Sequence, residues 1–172
     1  IPTHANRNPG LMEEAVKFIH MGGSIDLTAD IDPEPSDDQL LSVTAAIKRC
    51  LNEKASLNHV TVSSDGNGSL PVFNEQGELT GLTVASEESL LINFRFLVKN
   101  KILPLEQALK LFSSNAARCY KLAGKGRIEE GFDGDLIILD KDLELVHVLA
   151  KGRIMVQDGT VKAKGTFAKE SQ

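Results

Sequence analysis

Cysteine is scarce in this sequence, long apolar runs are absent, and basic residues form no cluster. Its two cysteines, Cys50 and Cys119, each fall in an apolar helical pattern, where a small buried thiol is the expected role. Two such residues build no disulfide framework, so a reducing, cytoplasmic setting is expected. No apolar run approaches the roughly 18 residues that a membrane-spanning helix needs. Lys and Arg number 19 against 24 Asp and Glu, for a formal charge of −5. With no basic stretch, no nucleic-acid partner is expected, and no membrane partner either. The N-terminus carries no secretory signal, but the first residue is Ile1 rather than Met, so nothing about targeting follows. What is present is ordinary for a globular protein: 41% hydrophobic and 25% charged residues in a chain of 172, enough to bury a sizeable core.

Apolar periodicity divides the chain into alternating helices and strands. Leu11, Ala15, Phe18 and Ile19 predict a first helix, closed by Gly22-Gly23. Ser24 to Ile31 reads as a strand. Ser36 with Gln39 has the form of a capping box and opens a helix with Leu40, Val43, Ile47, Cys50 and Leu51 on one face. His59 to Ser63 is the next strand, running into the turn-rich stretch Ser64 to Ser69. Leu90, Leu91, Phe94, Leu97 and Val98 mark a third helix, and Leu105, Ala108, Leu109, Phe112 and Ala116 a fourth. Such alternation argues for α/β units around a parallel sheet. Past Gly124, short strands replace helices: Leu136 to Leu139, Val146 to Ala150, and Ile154 to Val156. Asp158-Gly159 before Val161 suits a type I′ hairpin turn. A boundary is therefore expected near residues 120–126. Two or three strand–helix units make a poor independent parallel sheet, which wants cover on both faces. The first part thus reads as a portion of a larger barrel, which needs eight strands and about 250 residues.

Two metal-ligand residue types sit beside presumed strand ends: His4 and Asp65. In parallel α/β folds these ends converge on the site face. The plainer reading makes His4 a chain-terminal histidine and Asp65 a turn residue before Gly66. Arg7 is placed to grip a carboxylate bidentately, or simply to be solvated. His20, His59 and His147 lie away from strand C-terminal ends and are read as structural. Asp65 to Ser69 is no calcium loop, because Leu70 stands at the sixth position and Gln76 at the twelfth. Gly124-Lys125-Gly126 is too short for a phosphate-binding loop and lacks the following Ser or Thr.

Longer motifs carry a resemblance. Asn115-Ala116-Ala117, followed by Lys125-Gly126-Arg127-Ile128-Glu129-Glu130-Gly131-Phe132-Asp133-Gly134-Asp135-Leu136-Ile137, resembles the C-terminal signature of the metal-dependent amidohydrolase superfamily. Gly134 stands where that signature usually has Ala. Ile1 to Asn8, Ser63 to Ser69 and Lys164 to Phe167 are similar to segments of the isoaspartyl (β-aspartyl) dipeptidases within it. The resemblance covers essentially the whole chain.

It implies the C-terminal part of a (β/α)8 barrel, residues 1–122 from the end of strand six, followed by strands of a small β-sandwich domain, residues 123–172. It implies a metallo-dipeptidase with two divalent metals, usually zinc. His4 would be the ligand from strand six. Asp65 would be the ligand from strand eight and the general base. Arg7 and Ser69 would bind the substrate. The remaining ligands, a His-x-His pair, a carboxylated lysine and another histidine, belong to earlier strands not in this chain. The expected reaction in the full-length protein is hydrolysis of β-aspartyl dipeptides to L-aspartate and an amino acid by a water bridging the metals. The chain alone is expected to be inactive, and the full-length protein to be a homo-oligomer. The alternatives are a cyclic amidase of dihydroorotase or hydantoinase type, which needs no Arg7–Ser69 pair, and a non-catalytic remnant.

Overall fold

The computed structural model describes residues 1–34, 41–74 and 76–163. The chain divides into two compact units, Ile1–Lys121 and Leu122–Gln172.

In the first unit, α1 (Pro9–His20) begins where Asn8, in extended conformation, accepts a hydrogen bond from the Leu11 N–H. Pro9 occupies the first turn, where its missing N–H costs nothing. The buried stripe is Met12, Ala15, Val16 and Ile19, while Leu11 and Phe18 are each 42% exposed. The apolar face is thus rotated from the expected one, with Met12 and Val16 taking the inner positions. Phe18 lies over Gly23, where an added Cβ would fall 2.3 Å from its ring. A larger residue at position 23 would displace that ring.

Strand β1 (Ile25–Thr28) pairs in parallel with β2 (Val60–Ser63), in the register Ile25 to Val60 through Thr28 to Ser63. It is half the length expected from Ser24 to Ile31. Between the strands runs α2 (Val43–Asn52), capped by Ser42, whose hydroxyl accepts from the Ala45 N–H at 3.0 Å. The expected capping box at Ser36 and Gln39, and Leu40 on the helix face, lie outside the described residues. Val43, Ile47 and Cys50 are buried as expected, but Leu51 is 41% exposed. A short 3-10 turn, Leu57–His59, leads into β2.

Along both strands apolar residues alternate with polar ones. Ile25, Leu27, Val60 and Val62 join the core with Met12, Val16, Ile47, Leu97 and Leu111. Asp26, Thr28, Thr61 and Ser63 occupy the opposite side, since successive strand side chains point to opposite faces.

After β2 the chain forms a hairpin, β3 (Ser69–Phe73) with antiparallel β4 (Leu79–Val84). The sequence reading placed no strands there. Pro71 and Gly81 interrupt the β pattern, and β4 is exposed along its whole length, so no alternation marks a buried face. Helices α3 (Glu88–Lys99), α4 (Leu105–Phe112) and α5 (Ser114–Cys119) complete the unit. The single fourth helix expected through Ala116 is broken at Ser113, with φ −140° and ψ −85°. The Ser113 hydroxyl donates to the Leu109 carbonyl at 2.5 Å, a local bond that competes with helix continuation.

The second unit is an antiparallel meander, β5 (Leu136–Leu139), β6 (Leu145–Ala150), β7 (Arg153–Gln157) and β8 (Thr160–Val161), in that order. The expected sandwich is represented by this one sheet. Asp158 and Gly159 have φ of 49° and 70°, as a type I′ turn demands. The signature residues brace the start of the sheet. The Lys125 ammonium pairs with Asp133 at 2.7 Å and with Asp135, and Asp135 also accepts from the Lys151 N–H at 2.7 Å.

Candidate functional site

Three segments end side by side in the first unit: the N-terminal residues, β1 and β2. Pro2 and Ala5 are tied to the same residue of β1, as the Asp26 N–H donates to Pro2 at 2.9 Å and the Ala5 N–H donates to Asp26 at 3.1 Å. Pro2 to Ala5 therefore run along β1 like a further strand. His4 interrupts this run with φ 55°. Its Nδ1 lies 2.7 Å from the Thr28 hydroxyl, and among the described residues Nε2 has no hydrogen-bonding partner. Histidines that ligate metals are commonly held through the other ring nitrogen in this way, so the contact is compatible with such a role for Nε2.

Asn6 secures the same corner. It is buried, and its amide donates to the Thr28 and Leu41 carbonyls at 3.0 and 2.7 Å while accepting from the Thr28 N–H at 2.8 Å. Arg7, next along, is exposed. Among the described residues its guanidinium meets no partner. Its N–H closes a turn onto the His4 carbonyl at 3.0 Å.

Asp65 follows the C-terminal end of β2 and adopts φ 50°. Its carbonyl accepts from the Gly68 N–H at 2.8 Å, and a Cβ at Gly68 would come within 2.7 Å of that oxygen. Only glycine fits this close approach. The loop is fastened to the hairpin base, since the Asn67 N–H donates to Ala85 at 3.2 Å and the Ala85 N–H to Gly68 at 2.9 Å. Ser69 is exposed and begins β3 opposite Val84. The hairpin missed in the sequence is thus what shapes the Asp65 loop and sets Ser69 at its foot. Apart from the backbone turn between Arg7 and His4, no hydrogen bond or ion pair joins His4, Arg7, Asp65 and Ser69 to one another among the described residues.

The interior between these segments holds a residue that the motif reading passed over. Asp26 is 2% exposed. Its Oδ2 accepts from the Ser63 and Thr3 hydroxyls at 2.5 and 2.9 Å, and its Oδ1 from Thr61 at 2.6 Å. An Asp inside a strand of otherwise apolar alternation was the available signal.

Asn115, from the signature, explains its own presence. It is buried in α5, and its amide donates to the Leu57 and Val60 carbonyls at 2.9 and 2.8 Å, holding the entry to β2. The remaining histidines hold local structure. His59 Nδ1 lies 3.2 Å from the Ser24 hydroxyl, and His147 Nδ1 accepts from the Asp158 N–H at 3.3 Å, bracing the β7–β8 turn. His20 sits in the last turn of α1, where it suits the helix dipole.

The donor set fits a divalent metal in part. An imidazole nitrogen and a carboxylate, on the two segments that flank β1, are suitable ligand types. No group of three or more His, Cys, Asp or Glu side chains able to hold a metal ion is gathered among the described residues.

The fold has close relatives among solved structures. The β-aspartyl dipeptidase of Fervidobacterium islandicum AW-1, in complex with β-Asp-Leu dipeptide, superposes with a TM-score of 0.78 at 37% identity over 96% of this chain and 42% of its own. The N-acetylglucosamine-6-phosphate deacetylase of Thermotoga maritima, at 21% identity and a TM-score of 0.56, shares the fold. Among proteins similar in sequence, an N-acetylglucosamine-6-phosphate deacetylase of Lysinibacillus sphaericus is 45% identical over 53 residues, 31% of this chain and 14% of its own. A dihydroorotase of Methanosphaera stadtmanae is 35% identical over 69 residues, 40% of this chain and 14% of its own. The chain thus spans under half the length of the proteins described here that it matches, and its α/β architecture corresponds to part of an amidohydrolase barrel followed by an antiparallel sheet. Residues 9–164 match the model of the amidohydrolase family, and the chain belongs to that family.

Proposed function

We propose that this chain forms the closing part of a metal-dependent β-aspartyl dipeptidase, which hydrolyses the bond between an aspartate side-chain carboxyl and the next amino acid. The observation that carries this reading is the 37% identity and TM-score of 0.78 to a β-aspartyl dipeptidase over 96% of the chain. The shorter sequence matches to other amidohydrolases support the family, and they concern smaller portions of the chain.

His4, through Nε2, and Asp65, through its carboxylate, would hold divalent metal together with ligands from the rest of the barrel. Such a metal pair lowers the pKa of a water and polarises the scissile carbonyl. Asp65 is the general base: its carboxylate takes the proton of the attacking water and delivers it to the leaving amine. Arg7 is exposed beside His4 with its guanidinium unengaged, and it binds a substrate carboxylate. An isopeptide substrate presents a free α-carboxylate beside the scissile amide, which suits such a cation. Ser69 supplies a hydroxyl at the foot of the Asp65 loop.

A cyclic amidase is the second reading, favoured by the dihydroorotase similarity over 69 residues. The test is a side-by-side assay of the full-length protein on β-Asp-Leu and dihydroorotate. Preference for β-Asp-Leu in kcat/KM supports the dipeptidase reading, and preference for the ring substrate overturns it.

A further inference from the structure

A carboxylate with 2% exposure, and with no cation bonded to it among the described residues, calls for a reason. Burying a charge costs several kcal/mol unless it is paired and hydrogen-bonded. Asp26 is satisfied by hydroxyls alone, from Thr3, Thr61 and Ser63. Three donors converging on both oxygens suit an acceptor-only group. An apolar residue there would join β1 to β2 without the desolvation cost, so strand pairing alone does not account for the aspartate.

Its partners suggest what it does. Thr3 immediately precedes His4, and Ser63 stands two residues before Asp65. Asp26 itself stands two residues before Thr28, whose hydroxyl meets His4 Nδ1. Alternate residues of a strand share a face, so the Asp26 carboxylate lies on the same side of β1 as that hydroxyl. One buried side chain thus grips all three segments that end at the site, and it does so next to both candidate ligands.

We propose that Asp26 is a positioning residue that sets the relative placement of His4 and Asp65 through Thr3 and Ser63. The inference rests on the functional reading of those two residues. Asp26→Asn preserves volume but sets an amide N–H₂ against hydroxyl donors, so the ties must rearrange. Thr3→Val removes one tie at an exposed residue and leaves the core untouched.

The experiment uses the full-length protein and two readouts. One is zinc affinity of the metal-free protein, by competition with a chromophoric chelator. The other is the separation of kcat from KM on β-Asp-Leu. Thermal unfolding of the metal-free variants reports the fold. We expect folded Asp26→Asn to lose about tenfold to a hundredfold in zinc affinity, the usual effect of removing a group that orients metal ligands. Its kcat falls while KM changes little. Thr3→Val shows the same pattern more weakly, and Thr3→Ser returns both readouts toward wild type. Wild-type zinc affinity and kcat in Thr3→Val, or in folded Asp26→Asn, overturn the proposal. Should Asp26→Asn not fold, Thr3→Val decides alone. Asp65→Asn is assayed alongside. Near-normal turnover there removes the underlying reading and this inference with it. A large loss there, with Asp26 and Thr3 variants at wild-type level, removes this inference alone.

Discussion

In the proposed function Asp65 is the general base, and a substitution separates that role from a merely structural one. A turn-former at φ 50° is replaceable by Asn, which tolerates the left-handed region equally well. A general base is not, because an amide accepts no proton from water. Asp65→Asn in the full-length protein should therefore keep much of its metal and lose at least about a hundredfold in kcat. Metal content and turnover measured on the same sample check this, and near-normal turnover leaves only the turn. Arg7 is the complementary case, an exposed cation that contributes nothing visible to the fold. Arg7→Met should leave metal content and unfolding unchanged and weaken transition-state binding by about 2–4 kcal/mol. Unaltered kcat/KM on β-Asp-Leu makes it a surface residue.

At the scale of elements, β2 is placed by a side chain far away in sequence. Asn115 reaches from α5 to the carbonyls of Leu57 and Val60, fixing the strand whose other end carries Asp65. Asn115→Ala removes two buried hydrogen bonds and should lower stability by about 1–3 kcal/mol, seen as a lower urea midpoint at unchanged slope. A shift within error shows that water replaces the amide. Helix α2 supplies a pH dependence. Burial pushes the Cys50 thiol up to about 11 from its ordinary 9.0, with the nearby Glu53 charge adding to it. The folded state then retains a proton that the unfolded chain releases, so stability is complete below pH 9 and declines as pH rises towards 11. Cys50→Ala should flatten that limb of a denaturation series. The same burial should leave Cys50 unreactive to a thiol reagent at pH 8 until the protein unfolds, and rapid native-state labelling at Cys50 contradicts the packing of α2.

For the whole molecule, the decisive fact is how few metal-binding groups the described residues bring together. A catalytic zinc site takes three protein ligands and a water, whereas the proposed ligands of this chain, His4 and Asp65, would supply two. The 172-residue chain prepared by itself should therefore bind zinc weakly and show no turnover of β-Asp-Leu. Activity from material freed of any longer form refutes this. The chain also leaves large apolar side chains uncovered, among them Leu82 at 70% and Ile137 at 65% exposure, so the isolated chain should self-associate as its concentration rises. A concentration-independent sedimentation coefficient counts against that expectation.

Helix existence, the parallel strand pair and the change of architecture near Gly124 were legible in the sequence, because each rests on local periodicity and turn chemistry. Gly22-Gly23 and Asp158-Gly159 act within a few residues and need no partner. The signature from Asn115 to Ile137 was legible as a resemblance, and with it the family. Local pattern did not settle which face of a helix turns inward. Leu11 and Phe18 are as apolar as Met12 and Val16, and only the packing of α1 chose between them. Nor did it reveal the hairpin β3–β4, in which β4 is exposed along its length and Pro71 and Gly81 interrupt the pattern, so that pairing rather than burial defines it. The site divides in the same way. His4 and Asp65 are candidates by residue type beside strand ends, which the sequence alone displays. Asp26 acquires meaning only when Thr3, Thr61 and Ser63, as far as 37 residues away in sequence, are brought to its carboxylate, because its hydrogen-bond donors come from two other segments of the chain, the N-terminal residues and β2.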